Sequence, residues 1–269
     1  MDKQKRFNQI LQDIKAVKIQ GARNIAKSAL YAYSLIPTKE SKKKLLLSRP
    51  TEPMMENVLN KMEKQSYKEV LEHFDFSQKQ INESVFKIIK NGDIIFTHCH
   101  STNVVNALIY AKKHRKRFEV YNTETRPLYQ GRRTAKELKK TGIRVTMFID
   151  SATAGAIEKT NKDDKFYSTK IFLGADALLK NGIINKIGSG MIAELADKHK
   201  IPVYIIADSW KFTKRKIPIE QRKLNEIWNN APKGIKIENP AFEFVDKKHI
   251  TKIVTELGIL NYSEFLREI

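Results

Sequence analysis

The chain has 269 residues, 41% of them hydrophobic, which suits one large or two smaller packed domains and excludes a disordered chain. Its 50 Lys and Arg against 30 Asp and Glu give a formal net charge of +20, pointing to polyanions such as nucleic acid, anionic lipid or phosphorylated metabolites. One cysteine excludes an intrachain disulfide, and no apolar run approaches the roughly 20 residues that span a bilayer. The first residues lack the apolar core of a signal peptide, so a soluble, cytoplasmic protein is expected. The lysines are spread over most predicted helices, which equally fits a lysine-rich proteome or a salt-rich cytoplasm.

Residues 3–35 read as helical, with Phe7, Ile10, Leu11, Ile14 and Val17 at helical spacing. The segment Ile19–Asn24 interrupts this pattern. Gly21 there either lets backbone approach a ligand or eases a helix crossing. Pro37 closes the region, and Ser41–Leu47 is a short helix or turn. Ser48–Pro53 is a second break, with Thr51 as a helix start ahead of Pro53 and Arg49 free to reach an anion or to cap a neighbouring helix. Met54–Lys64 and Ser66–Lys90 complete a helical region over residues 1–90.

From Asn91 the character changes. Strands are predicted at Asp93–Phe96, Phe118–Tyr121, Val145–Ile149, Lys170–Leu173 and Val203–Ile206. Helices at Thr102–His114, Arg132–Lys140, Ser151–Lys159 and Gly188–His199 alternate with them. Such alternation predicts a doubly wound parallel sheet over residues 91–269. Thr213–Lys236 reads as a basic surface loop, and Asn239–Ile269 as a short extended piece (Ala241–Val245) followed by two helices.

In such a sheet, ligands lie outside the carboxyl ends of the strands. Those ends gather Cys99, Glu124, Arg126, Gln130, Asp150, Asp176 and Lys211 into one expected site. Asn181-Gly182 is a tight turn and Gly188 opens a helix whose free N–H groups would face the crevice as an anion site, supported by Arg126 and Lys186. A cysteine and an aspartate amid cationic groups suit proton transfer on a phosphorylated substrate. The competing readings are a buried, inert Cys99 and an Asp176 that caps a helix or pairs with Lys186. His98-Cys99-His100 invites a zinc reading, but in an extended strand the histidines face away from the cysteine and no second cluster completes a tetrahedral set, so no metal is expected. Gly-x-Gly-x-x-Gly and P-loop signatures are absent from the sequence.

The segments THCHS (97–101), TETRPLYQG (123–131), GADALLKNGIINKIG (174–188), DSWKF (208–212) and NPAFEFV (239–245) together resemble one superfamily. It joins 5-methylthioribose-1-phosphate isomerase, ribose-1,5-bisphosphate isomerase and the alpha, beta and delta regulatory subunits of translation initiation factor 2B. The resemblance implies a helical N-terminal domain, a Rossmann-like C-terminal domain and association through the latter into a homo-oligomer, a dimer or hexamer. TETRPxxQG is most similar to archaeal ribose-1,5-bisphosphate isomerases. That implies an aldose–ketose isomerase of a C1-phosphorylated pentose, with no redox cofactor or metal. The catalytic pair would be Cys99 and Asp176. Gln20, Gly21, Ala22, Arg23, Arg49, His100, Ser101, Arg126, Gln130, Asn185, Lys186 and Lys211 would hold sugar and phosphate groups, and AMP or another nucleotide could act as effector. Gln20 stands where the isomerases carry arginine, with Arg23 about 300° further round a helix, and His100 stands where asparagine is usual. The rival from the same resemblance is a non-catalytic regulatory subunit that senses nucleotides or sugar phosphates. Nucleic acid is a less favoured partner, because no aromatics interleave a basic strip.

Overall fold

The computed structural model describes residues 2–158 and 167–269. Its first five helices are α1 (Lys3–Lys15), α2 (Ala22–Leu35), α3 (Lys39–Ser48), α4 (Pro53–Lys61) and α5 (Tyr67–Ile88). Each starts for a local reason. Asp2 and Thr38 cap α1 and α3, Pro53 occupies the first turn of α4, and Ser66 with Glu69 forms a reciprocal capping box on α5. Gly21, at φ +85°, separates α1 from α2, a backbone angle that costs glycine nothing. The apolar faces of α1–α4 close on one another around Phe7, Ile14, Ile25, Leu45 and Leu59. α5 spans two cores: Val70 and Phe74 pack with α2 and α4, whereas Ile81 and Val85 pack against the sheet.

The sheet begins with β1 (Asp93–Thr97), followed by α6 (Thr102–Lys113), β2 (Phe118–Thr123), α7 (Gln130–Lys140) and β3 (Arg144–Phe148). A short helix α8 (Thr153–Ile157) precedes β4 (Lys170–Leu173). A hairpin of β5 (Ala177–Leu178) and β6 (Gly182–Lys186) leads into α9 (Ser189–Lys198) and β7 (Val203–Ile206). β8 (Phe242–Asp246), β9 (Lys252–Thr255), β10 (Gly258–Leu260) and α10 (Tyr262–Glu268) complete the chain. The strand order is β10-β9-β7-β4-β1-β2-β3, parallel except for β10. The inner strands are apolar almost throughout because helices cover both faces. From β1 the chain winds outward through β2 and β3, then returns to β4 on the other side. The crevice beyond β1 and β4 is thus the switch point where a doubly wound sheet takes its ligand.

The five predicted strands are present, and the structure corrects the reading elsewhere. Predicted helix Ser151–Lys159 is a 3₁₀ turn at Asp150–Ala152 followed by α8, with Lys159 outside the described residues. The two expected tail helices are one, α10. The stretch before it forms β9 and β10, because Ile250, Ile253, Val254 and Leu257 have helical spacing but their β-branched members extend along the open edge of β7. The Asn181-Gly182 turn closes an antiparallel hairpin that β8 joins to make a second, three-stranded sheet.

Candidate active site

A cavity of about 140 Å³ opens at the switch point and takes walls from both halves of the chain. Gly21, Ala22 and Arg23 line it from the start of α2, and Arg49 and Glu52 from the α3–α4 junction. The segment after β1 contributes His98, Cys99, His100 and Ser101, and the segment after β4 contributes Gly174, Ala175 and Asp176. Asn185 and Lys186 arrive on β6, and Lys211 arrives on the 3₁₀ turn Ser209–Lys211. Its size fits a small polar molecule.

Cys99 is turned into this space by its backbone. Its φ of 66° is left-handed, so it is not the extended residue that the alternation argument assumed, and His98 and His100 line the cavity along with it. The strained angle is held from several sides. The Cys99 N–H donates to Thr125 Oγ1 at 3.0 Å, and Thr134 Oγ1 donates to the Cys99 carbonyl at 2.8 Å. Asp150 accepts the N–H groups of Thr125 and Arg126 at 2.9 and 2.6 Å, fixing the loop that holds Cys99. His98 bridges Thr123 Oγ1 and the Ile187 carbonyl, the latter at 2.8 Å, and burial holds its pKa below the ordinary value. His100 shares a hydrogen bond with Thr134 Oγ1 at 3.0 Å, and burial, reinforced by Arg133, drops its pKa to about 4. Both rings are neutral near pH 7.

Burial pushes the Cys99 thiol up to about 11, against the pull of Lys186. It is a thiol at neutral pH, a proton donor more than a nucleophile. Asp176 is half-buried in the same lining, and burial holds its pKa above the ordinary carboxylate value, a rise that the charges of Lys211, Lys186 and Arg49 only partly offset. Lys211 and Lys186 are 6% and 7% exposed, so their charges act through little water. Lys211 donates to the Ala175 carbonyl at 2.6 Å, which fixes the ammonium next to Asp176 in sequence. Arg49 is equally buried and binds Glu220 Oε2 at 2.7 Å.

Several predicted residues stand elsewhere. Arg126 is exposed and outside the cavity lining, with its guanidinium on Tyr129 and the Ile227 carbonyl. Glu124 pairs with Arg132 at 2.8 Å, and Asp150 braces the loop, so neither lines the cavity. Gln20 and Gln130 do line it, but the Gln20 amide donates to the Val17 carbonyl at 3.2 Å. Arg23 is already bound to Asp75 at 2.8 Å. The start of α9 is not an anion site, because the Glu243 carboxylate accepts the Gly190 N–H at 2.7 Å. Asn185 donates to Ser189 Oγ at 2.9 Å, an arrangement internal to the β6–α9 corner.

Sequence reasoning overlooked Glu52, Arg133 and Arg222, all in the lining. The cap of α4 is Glu52, not Thr51, so the residue passed over is the one at the wall. Arg222 and Glu220 come from the segment read as a surface loop. Arg222 binds Glu226 at 2.6 Å and Glu220 at 3.4 Å, and Glu220 reaches Arg49. A short run of alternating charge, Glu220 to Glu226, was the available signal.

The chain is similar to proteins named for sugar-phosphate chemistry and for translation. It is 34% identical to the ribose 1,5-bisphosphate isomerase of Methanocaldococcus jannaschii, covering 92% of this chain and 89% of the relative. It is 30% identical to the methylthioribose-1-phosphate isomerase of Thermosipho africanus, over 98% of this chain and 90% of that one. A crystal structure titled translation initiation factor eIF-2B, from Pyrococcus horikoshii OT3, superposes with a TM-score of 0.82 at 25% identity, covering 95% of this chain and 97% of that one. The model of the Initiation factor 2 subunit family matches residues 38–262. The fold, the switch-point cavity and this match over most of the chain agree, and the protein belongs to that family.

Proposed function

We propose that this protein is a sugar-phosphate isomerase that converts a C1-phosphorylated aldose to the corresponding ketose, with ribose 1,5-bisphosphate as its substrate. The observation that carries the reading is the cavity itself, in which a half-buried thiol and a half-buried carboxyl line one space with the buried Lys186, Lys211 and Arg49. The relatives named ribose 1,5-bisphosphate isomerase support the choice of substrate, and those named methylthioribose-1-phosphate isomerase supply its competitor. We also propose that residues 1–90 and 91–269 act as two domains that contribute opposite walls of the cavity.

In this mechanism the phosphate rests among the lysines and Arg49. The neutral Cys99 thiol protonates the ring oxygen, which opens the ring and leaves C1 electron-poor. The C2 hydrogen moves to electron-poor C1 with its bonding pair while Asp176, as carboxylate, accepts the proton of the C2 hydroxyl, whose O–H pair becomes the C2 carbonyl bond. The product is a ketose with its phosphate still on C1. Lys186 offsets the charge left on Cys99.

Incubation of pure protein with ribose 1,5-bisphosphate is expected to yield ribulose 1,5-bisphosphate, with 5-methylthioribose 1-phosphate as the comparison substrate. A second reading, a binding protein that senses sugar phosphates or nucleotides, draws on Arg49 being engaged by Glu220 and Gln20 by its own loop. Binding of these ligands without conversion of either substrate would favour it.

A further inference from the structure

Of the two acidic side chains in the cavity lining, Glu52 and Asp176, the mechanism gives work only to Asp176. Glu52 caps α4 without a side-chain hydrogen bond to that helix, is 3% exposed, and its Oε2 atom is buried without a hydrogen-bond partner. A carboxyl in that state costs several kcal/mol unless it is protonated or a ligand completes it. The groups that face it come from four directions: Arg49 at the end of α3, Asp176 after β4, Lys211 on the 3₁₀ turn and Glu220 beyond it. Arg49 Nε and Thr51 Oγ1 on the same junction are also buried without partners. The junction therefore offers an unused guanidinium N–H, a hydroxyl and a carboxyl.

We propose that Glu52 is a ligand-contacting, specificity-determining residue, whose carboxyl in the acid form donates its proton to an oxygen of a phosphate ester held by Arg49 and Lys211. Binding of the anion then takes up a proton. This rests on reading the cavity as a phosphate-ester site and does not depend on turnover. Burial and the neighbouring Asp176 charge raise the free carboxyl to about 8, outweighing Arg49 and Lys211, so near neutral pH it already carries the proton to be donated. Above that pH it is a carboxylate, and it repels an incoming anion until it is reprotonated. The residue thus selects the protonation state in which the site accepts a phosphate, and it places a neutral donor beside the cations Arg49 and Lys211.

Sulfate is a suitable probe, because it does not titrate in the range where Glu52 does. Calorimetric titration of the wild-type protein should show the sulfate Kd weakening about tenfold per pH unit above about pH 8, the slope of one linked proton. Repeating the titration at that pH in two buffers of different ionisation enthalpy should show uptake of about half a proton, rising toward one at higher pH. In Glu52→Gln the amide is a permanent donor. Its sulfate affinity should stay level over the same range and exceed the wild type about tenfold at about pH 9. Parallel pH profiles in the two proteins, or wild-type binding without proton uptake, would overturn the role of Glu52 and leave the anion site standing. Should the Gln variant not fold, the two-buffer measurement on the wild type decides alone. Failure of sulfate to bind the wild type at any pH overturns the anion site and this proposal together. Loss of turnover on ribose 1,5-bisphosphate with sulfate binding intact would strike only the isomerase reading.

Discussion

At the scale of single residues, the chemistry divides between groups that face the cavity and groups that hold them. Cys99 and Asp176 belong to the first kind, Thr125, Thr134 and Asp150 to the second, and His98 to both, lining the cavity while it bridges Thr123 and Ile187. Cys99→Ser keeps a small hydroxyl but raises the pKa of the donor far above that of a thiol, and Asp176→Asn keeps the shape while removing the proton acceptor. Each change is expected to lower kcat by about 10²–10⁴-fold on ribose 1,5-bisphosphate while ligand binding measured by calorimetry persists. Lys211→Ala should instead weaken binding, since it removes a buried cation beside the ligand. Turnover that survives loss of both Cys99 and Asp176 would sink their assigned roles. The resemblance gives His100 a sugar- or phosphate-holding role; its ring lines the cavity and shares a hydrogen bond with Thr134, which also holds the Cys99 carbonyl.

At the scale of elements, the second sheet carries a wall of the site. Lys186 sits on β6, and β8 locks β6 in place along five paired residues. Gly182 starts β6 where no side chain fits, since a Cβ there would lie 2.2 Å from the Val245 carbonyl oxygen and 2.6 Å from the Phe244 ring. The turn reading of Asn181-Gly182 was correct about the reversal, but the glycine is required for this close approach of β8. Gly182→Ala is expected to destabilise the protein by roughly 1–3 kcal/mol in urea unfolding, because backbone must shift to admit the methyl group. It should also raise KM more than it lowers kcat, as Lys186 moves and the Cys99 loop does not. An unchanged unfolding midpoint would show that β8 yields at no cost.

At the scale of the whole molecule, the +20 charge acts at long range on what approaches the cavity. A sugar bisphosphate, with two anionic phosphate groups, is steered toward a cationic surface, and salt screens that attraction over about 10 Å at 0.1 M. KM for ribose 1,5-bisphosphate is expected to rise several-fold between about 0.05 and about 0.5 M salt, with kcat nearly constant, because the buried lysines are screened far less. Nucleic acid should bind weakly over the same range in a mobility-shift titration. Tight, salt-sensitive RNA binding by a protein without turnover would reverse this assignment of the charge. Among the described residues no helix is long and apolar enough to cross a membrane.

Sequence alone determined the features that local physics encodes. The change from helical spacing to alternating strands and helices after Asn91 follows from side-chain periodicity. The placement of Cys99 and Asp176 just beyond strands follows from where apolar runs stop, and parallel strands put those ends at one edge. Only the tertiary structure decided which strand-end residues turn inward. Arg126 and Glu124 share a loop with the supports of Cys99, yet each finds a partner outside the cavity. The β9–β10 stretch has an ambiguous period, and the open edge of β7 resolves it. Glu52 lies far from Asp176 in the chain, and nothing in SRPTEP marks it as a cavity residue. Its setting arises because α4 packs on the Ser209–Lys211 turn and its junction with α3 joins the segment after β4 in one cavity, removing a carboxyl from water near another, a long-range event with no local signature.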